Sequence, residues 1–372
     1  MTGIYLDYNA STPIAPEVVA AMEPMLREAY GNPSSGHWAG APAKAALAKA
    51  RSQVAALLGC GADEVVFTSG GSEANNFTLK GLFFHRKGQK SHVITTQIEH
   101  PAVLAPCRFL ESLGARVTLV PVDGAGLVDP DDIRKAIGSD TFLISVMHAN
   151  NEVGTIQPLA EIAKIAREHG ILFHTDAAQS VGKVATEVDD LGVDLLSIAG
   201  HKLYAPKGVG ALYIRRGVEV EPLIHGAGHE GGRRAGTESV LLAAALGKAC
   251  EIAAPAIGMN DVRHLRDQFW DRLKSAFGAA IVLNGHPERR LPNTLNVSFV
   301  GRVGGEILAR IPQVAASTGS ACHSGEVMLS PVLAAMGVAP DIGKGAIRFS
   351  LGRGTTEDEI DAVVAALAQA LT

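Results

Sequence analysis

Short apolar runs recur between residues 60 and 216, separated by stretches of a different period. "EVVFTSG" (64–70), "HVITT" (92–96), "RVTLVPV" (116–122), "TFLISVM" (141–147), "ILFHTD" (171–176), "LLSIAG" (195–200) and "GALYIRR" (210–216) are too short for helices and rich in β-branched residues. Such runs read as strands buried on both faces. Helix-like segments at 73–87, 101–113, 130–137 and 159–169 lie between several of them. That alternation predicts an α/β fold with a mostly parallel, seven-stranded sheet covered by helices on both sides. The Ala-rich stretch 41–58 reads as a further helix, with Pro42 in its first turn. A long helical stretch over 239–277 leads away from the sheet, towards strands at "NTLNVSFV" (293–300) and "AIRFSLG" (346–352). The chain closes with a helix at 355–371, where Thr356 and Glu359 have the spacing of a capping box. The expected division is a large domain over 15–255 and a smaller α+β domain built from 1–14 and 256–372.

Composition narrows the function. With 372 residues, 47% hydrophobic and 19% charged, the profile is that of a soluble globular protein. The net charge of −5 and the lack of a basic tract argue against a nucleic-acid partner. No apolar run approaches the roughly 20 residues that span a bilayer. The start, "MTGIYLDYNA", lacks the order of a secretory signal, so a cytoplasmic location is expected. Cys60, Cys107, Cys250 and Cys322 are far apart, which suits free thiols in a reducing compartment and gives no metal-binding spacing.

In an open parallel sheet the chemistry sits just beyond the carboxyl ends of the strands. "TSGGSEAN" (68–75) ends the first run and opens a helix, so Gly71 and Ser72 form a cup for an anion such as phosphate. His100 precedes the helix that starts at Pro101; Asp176 and Gln179 follow the fifth run; His201 and Lys202 sit in a Gly- and Pro-rich turn after the sixth. Each has an ordinary structural alternative: a Ser cap, a helix-start hydrogen bonder, an Asp cap, a solvated lysine. Their coincidence at one edge is the informative feature. A phosphate cup, a carboxylate, a flat side chain and a lysine together suit pyridoxal phosphate. The lysine holds its aldehyde, the carboxylate keeps its ring nitrogen protonated, His100 stacks on the ring, and Gln179 bonds the 3-hydroxyl.

"YLDYNASTP" (5–13), "FTSGGSEANN" (67–76), "EHPAV" (99–103), "MHANNEVG" (147–154), "HTDAAQSVGK" (174–183), "GHKLYAPKGVGALYIRR" (200–216), "RRAGTE" (233–238), "SACHS" (320–324) and "IRFSLGR" (347–353) fall in order along nearly the whole chain. Together they resemble the cysteine desulfurase family, a branch of the class V aminotransferase-like, fold-type-I pyridoxal-phosphate enzymes. The resemblance implies a homodimer that converts L-cysteine to L-alanine. It implies Lys202 and Cys322 as catalytic residues with help from His100. Gly71, Ser72, His100, Asn151, Asp176, Gln179, His201, Lys202 and Thr237 would hold the cofactor, with Thr237 reaching the neighbouring subunit's phosphate. Asn151 and Arg348 would bind substrate. The sulfur passes to Cys322 and then to an acceptor protein or small thiol. "STGSACHSGEV" (317–327), with little apolar anchorage, suits a mobile carrier loop.

The sequence departs from that pattern in places. Ala199 stands where many relatives place a phosphate-binding Ser, and His323 follows Cys322 where Thr or Ser is frequent. "ACHS", "SPVL" (330–333) and "GTE" (236–238) look closer to selenocysteine lyases, which makes release of selenide from L-selenocysteine the alternative activity. With Thr372 just after the closing helix, the C-terminal tail that housekeeping desulfurases offer to a scaffold protein is expected to be absent. Two rivals from other classes are a nucleotide-binding protein using "SGGSE", which fits neither the Walker nor the GxGxxG spacing, and a zinc protein using Cys322 and His323.

Overall fold

The structure is a computed structural model describing residues 3–86, 91–256, 260–319, 322–323 and 326–371. Its main sheet comprises β1 (Val65–Thr68), β2 (His92–Thr96), β3 (Arg116–Val120), β4 (Thr141–Ser145), β5 (Leu172–Asp176), β6 (Leu195–Ala199) and β7 (Gly210–Ile214). The spatial order is β1-β7-β6-β5-β4-β2-β3. Only β7 opposes its neighbours, pairing antiparallel with both β1 and β6; the remaining pairs are parallel. Because β7 reverses direction between them, β1 and β6 still point the same way. The carboxyl ends of β1, β2, β4, β5 and β6 therefore share one edge of the sheet.

Every residue of β1, β2, β4, β6 and β7 is buried, as their unbroken apolar runs predict. One face packs Ile94, Ile144, Phe173 and Leu196 against helices that include Ala41–Leu58 and Val240–Ala253. The other packs Val66, Leu143 and Leu212 against Phe77, Leu82, Val103 and Leu110 of Gly71–His85 and Pro101–Glu111. The edge strand β3 is partly exposed and begins with a charged residue, Arg116, which blunts an open edge.

The expected single helical stretch over 239–277 is two helices, Val240–Ala253 and Asn260–Phe277. Pro255 explains the break: it has no N–H to donate and disfavours helical backbone in the residue before it. Val240–Ala253 is apolar almost throughout and packs against Pro16–Arg27 and Ala41–Leu58. Asn260–Phe277 packs on the closing helix, Glu357–Leu371. The capping box at that last helix is formed in both directions: Thr356 N–H donates to Glu359 at 3.0 Å and Glu359 N–H to Thr356 Oγ1 at 3.3 Å.

A second, antiparallel sheet contains β8 (Ile281–Asn284), β9 (Thr294–Phe299) and β10 (Ala346–Ser350), in the order β10-β9-β8. Its core takes in Leu6, Phe269, Val297, Phe349 and Val363. The chain's beginning joins it: Ile4–Tyr5 pairs parallel with Val314–Ala315, and Asp7 bridges to Ser350. That pairing carries Asp7 and Asn9 to the edge of the large sheet. Cys322–His323 pairs antiparallel with Glu326–Val327. The expectation of a mobile loop falls partly on Ser320, Ala321, Ser324 and Gly325, which lie outside the described residues.

Two glycines shape the turn at the end of β1. Gly70 has φ 151°, open only to glycine at low cost. A Cβ on Gly210 of β7 would lie 2.4 Å from Ile198 O and 2.7 Å from Gly70 Cα. Gly210→Ala is therefore expected to destabilise the fold by about 1–3 kcal/mol, read as a lower urea midpoint. Gly305→Ala, whose Cβ meets nothing within 4 Å, should leave the midpoint at or slightly above the wild-type value.

Candidate active site

A cavity of about 400 Å³ opens at the shared carboxyl edge. Gly71 and Ser72 line it from the turn after β1, His100 from the turn after β2, Asn151 from beyond β4, Asp176 from the end of β5, and His201 and Lys202 from the turn after β6. Gln179 and Arg348 complete its wall. The strand ends predicted to hold chemistry thus converge on one space.

The helix Gly71–His85 has its first backbone bond at Ala74 N–H to Gly70 O, 3.1 Å. The amides ahead of it are directed out of the helix end, where an anion is favoured. A side chain at position 71 would crowd Ala199 Cβ at 3.3 Å, so glycine keeps this cradle open. Asp176 is buried and its carboxylate is held at both oxygens: Asn75 Nδ2 donates to one at 2.7 Å and Ala178 N–H to the other at 2.9 Å. His100 caps its helix by accepting Ala102 N–H at Nδ1, 3.0 Å, which leaves the ring proton on Nε2. Burial, and then the Lys202 charge, push the His100 pKa below the usual histidine range, with Asp176 opposing. Burial likewise lowers Lys202; Asp176 pulls it up and Arg348 adds to the lowering. The result is an amine that gives up its proton more easily than a surface lysine.

Arg348 is buried and partly committed, with Nη2 donating to Asp7 at 2.7 Å and Nη1 to Asn151 O at 2.8 Å. Its Nε is buried without a partner among the described residues, a donor awaiting an acceptor. Gln179 Nε2 donates to Asn9 O at 2.9 Å. His201 stands 3.4 Å from Ser11 Oγ, and burial and nearby lysines push it down to about 4. Thr237 is not brought to this cavity: it is exposed and lines a separate hollow with Ser69, Glu230 and Arg234. The backbone of Cys322 is described, pairing with Val327, but its side chain lies outside what the structure describes.

The chain matches the family model "Aminotransferase class-V" over residues 4–363. It is 48% identical over 362 residues to the cysteine desulfurase IscS of Dictyoglomus turgidum, covering 96% of this chain and 92% of that protein. A solved NifS-like protein superposes with a TM-score of 0.92 at 38% identity, covering 99% of both chains. A second, SspA in complex with cysteine, superposes at 0.83 with 39% identity over 94% of this chain and 98% of that one. The chain belongs to the cysteine desulfurase family.

Cysteine desulfurases depend on pyridoxal phosphate, and the residues here fit that group. The open cradle at Gly71, the lysine with lowered basicity, the clamped Asp176 carboxylate and the unpartnered Arg348 Nε all face or border one cavity. Ala199 lines the same wall and offers no hydroxyl there.

Sequence reasoning gave no role to Asn75, Asp7, Asn9 or Glu99. Asn75, four residues past Gly71 on the same helix, and the "LDYN" segment stood in recognised motifs, but only tertiary contact reveals what they hold. Glu99 is buried beneath His100; one oxygen accepts from Thr96 Oγ1 and Met147 N–H, both at 2.8 Å, tying the end of β2 to the end of β4. Burial raises it from 4.5 to about 8. Between those values the folded state keeps a proton that the unfolded chain has lost, so Glu99 makes stability fall as pH rises. Glu99→Gln mimics the protonated form. Its stability relative to wild type should climb by on the order of 2–4 kcal/mol from pH 5 to pH 8, measured by urea unfolding; a pH-independent difference would show that Glu99 is ionised.

Proposed function

We propose that the chain is a pyridoxal-phosphate-dependent cysteine desulfurase that converts L-cysteine to L-alanine and passes the sulfur to the thiol of Cys322. The observation that carries this reading is the pairing, in one cavity, of a weakened Lys202 amine with a clamped Asp176 carboxylate and a buried Arg348 that retains a free donor.

Lys202 would hold the cofactor by its aldehyde, Asp176 would keep its ring nitrogen protonated, and the amides at Gly71 and Ser72, with His201, would hold its phosphate. When bound, pyridoxal phosphate supplies the electron sink that makes the substrate Cα proton acidic and the Cβ–S bond weak. Arg348 Nε takes the substrate carboxylate, which turns the amino group towards Lys202, and Asn151 borders the substrate. The freed Lys202 amine carries the Cα proton, and the neutral His100, with its Nε2 proton, assists. Cys322 as thiolate attacks the substrate sulfur. An S–S bond forms, the Cβ–S bond breaks, and its electron pair stays with the three-carbon fragment, which takes up protons to become alanine. Burial pushes Cys60, Cys107 and Cys250 up to about 12, which makes them poor thiolates and favours Cys322 as the acceptor.

The Dictyoglomus turgidum relative is a cysteine desulfurase, and one solved neighbour holds cysteine, which puts this activity ahead of selenocysteine lyase. A homodimer would bring Thr237 to the neighbouring subunit's phosphate. Thr237 lies away from its own chain's cavity, and Val19, Leu26, Tyr30 and Trp38 are large apolar residues left in water, Trp38 at 80% exposure. A sulfur-acceptor protein or small thiol completes the cycle, in a cytoplasmic setting.

Borohydride reduction of the pyridoxal-phosphate-loaded protein, followed by peptide mapping, should label Lys202; a label elsewhere, or none, overturns the assignment. Cys322→Ala should keep the visible cofactor band, form no persulfide, and lose alanine release by about a hundredfold or more. Full turnover in that variant overturns the role of Cys322, and a vast preference for L-selenocysteine over L-cysteine overturns the substrate.

A further inference from the structure

Lys183 is buried, only 5% exposed, and pairs with no carboxylate among the described residues. Its Nζ lies 3.1 Å from Gln179 Oε1 and 3.5 Å from Asn9 Oδ1, both neutral acceptors. The charged groups that act on it are Lys202 and Arg348, both positive. A hollow beside it is lined by Tyr8, Tyr204 and Arg353, which add no negative charge. Burying an amine without a counter-ion is costly, so the position calls for a reason beyond stability.

Gln179 supplies one. A side-chain amide has a donor end and an acceptor end, and it can turn over unless its neighbours select one orientation. Asn9 O can only accept, and it takes Gln179 Nε2 at 2.9 Å. An amine that donates to Oε1 selects the same orientation from the opposite end. Nε2 then has one N–H on Asn9 and a second for the cavity that Gln179 lines. Asn9 is itself fixed, its Oδ1 accepting from Asn293 at 3.0 Å and its Nδ2 donating to Thr294 Oγ1 at 2.8 Å. We infer that Lys183 is a positioning residue whose amine locks the Gln179 amide with its oxygen turned inward and its N–H group offered to the cavity. This deepens the cofactor reading, in which Gln179 donates to the ring's 3-oxygen, and its spectroscopic test rests on that reading.

Burial pushes Lys183 down from 10.5 to about 7, and in either protonation state the amine can donate. Below pH 7 the folded protein carries the buried charge in full; between pH 7 and 10.5 the unfolded chain binds the extra proton, so stability rises with pH across that window.

Two measurements test the assignment. In the loaded enzyme, Lys183→Met should move the midpoint of the visible band's pH titration in the same direction as Gln179→Leu, and the double variant should move it no further. A Lys183→Met enzyme that titrates as wild type while Gln179→Leu shifts overturns the positioning role. In the cofactor-free full chain, the losses in urea midpoint from Lys183→Met and Gln179→Leu should be non-additive. The stability of wild type relative to Lys183→Met should rise from pH 7 to 10, and Gln179→Glu, by giving the amine a counter-ion, should flatten that rise. Additive losses, or a rise untouched by Gln179→Glu, overturn the contact. Because this second measurement needs no cofactor, failure of the loaded protein to show a visible band would count against the cofactor reading alone.

Discussion

The site depends on keeping one amine, that of Lys202, out of water without neutralising it completely. Desolvation lowers its basicity, the Asp176 charge restores part of it, and Arg348 takes part away again. Each influence comes from a different element: a strand end, a turn, and a strand of the smaller sheet. Such a balance holds only if those elements are rigid. The sheet supplies the rigidity, because β2, β4 and β6 are buried along their whole length and end at a common edge.

The same logic runs outward from the reacting groups. Asp176 is directed by Asn75 and by a backbone N–H, His100 by its own helix, and Arg348 by Asp7 and Asn151. Asp7 does this without lining the cavity, and Asn151 does it through its backbone carbonyl. The work of these supporting groups is to remove rotational freedom from the groups they hold, so that binding does not have to supply that ordering.

How much of this was legible in the sequence follows from the range of the interactions. The large sheet was readable because strands buried on both faces leave unbroken apolar runs, and the candidate site residues were readable because they follow the ends of those runs, where one cavity gathers them. β8 was missed, since "IVLN" is too short to stand out from the helix before it. The break at Pro255 was overlooked because apolar helical patterning continues on either side of it. Asp7 and Asn9 could not be assigned from pattern alone: their partners lie as far as 341 residues away. Lys183 looks like any lysine after a turn, and only its burial shows that it faces inward. Thr237 entered through family resemblance, and within one chain it has no place at the cavity.

Ile4–Tyr5 pairs with Val314–Ala315 and Asp7 bridges to Ser350, so this strand is held by segments far along the chain. Asp7 holds Arg348 and Asn9 holds Ser350, each 341 residues along the chain, while Asn9 also meets Asn151 and Gln179 beside the main sheet. Gly71, Asp176 and Lys202 stand at one edge of the main sheet, whereas Arg348 comes from β10 of the smaller one. The residues proposed to hold a cofactor thus belong to one sheet, and Arg348, proposed to hold a substrate, belongs to the other. The seating of β10 against Asp7 and Asn151 therefore sets how far the Arg348 guanidinium stands from the Lys202 amine, so a change at that seam would be felt in the cavity without touching Lys202.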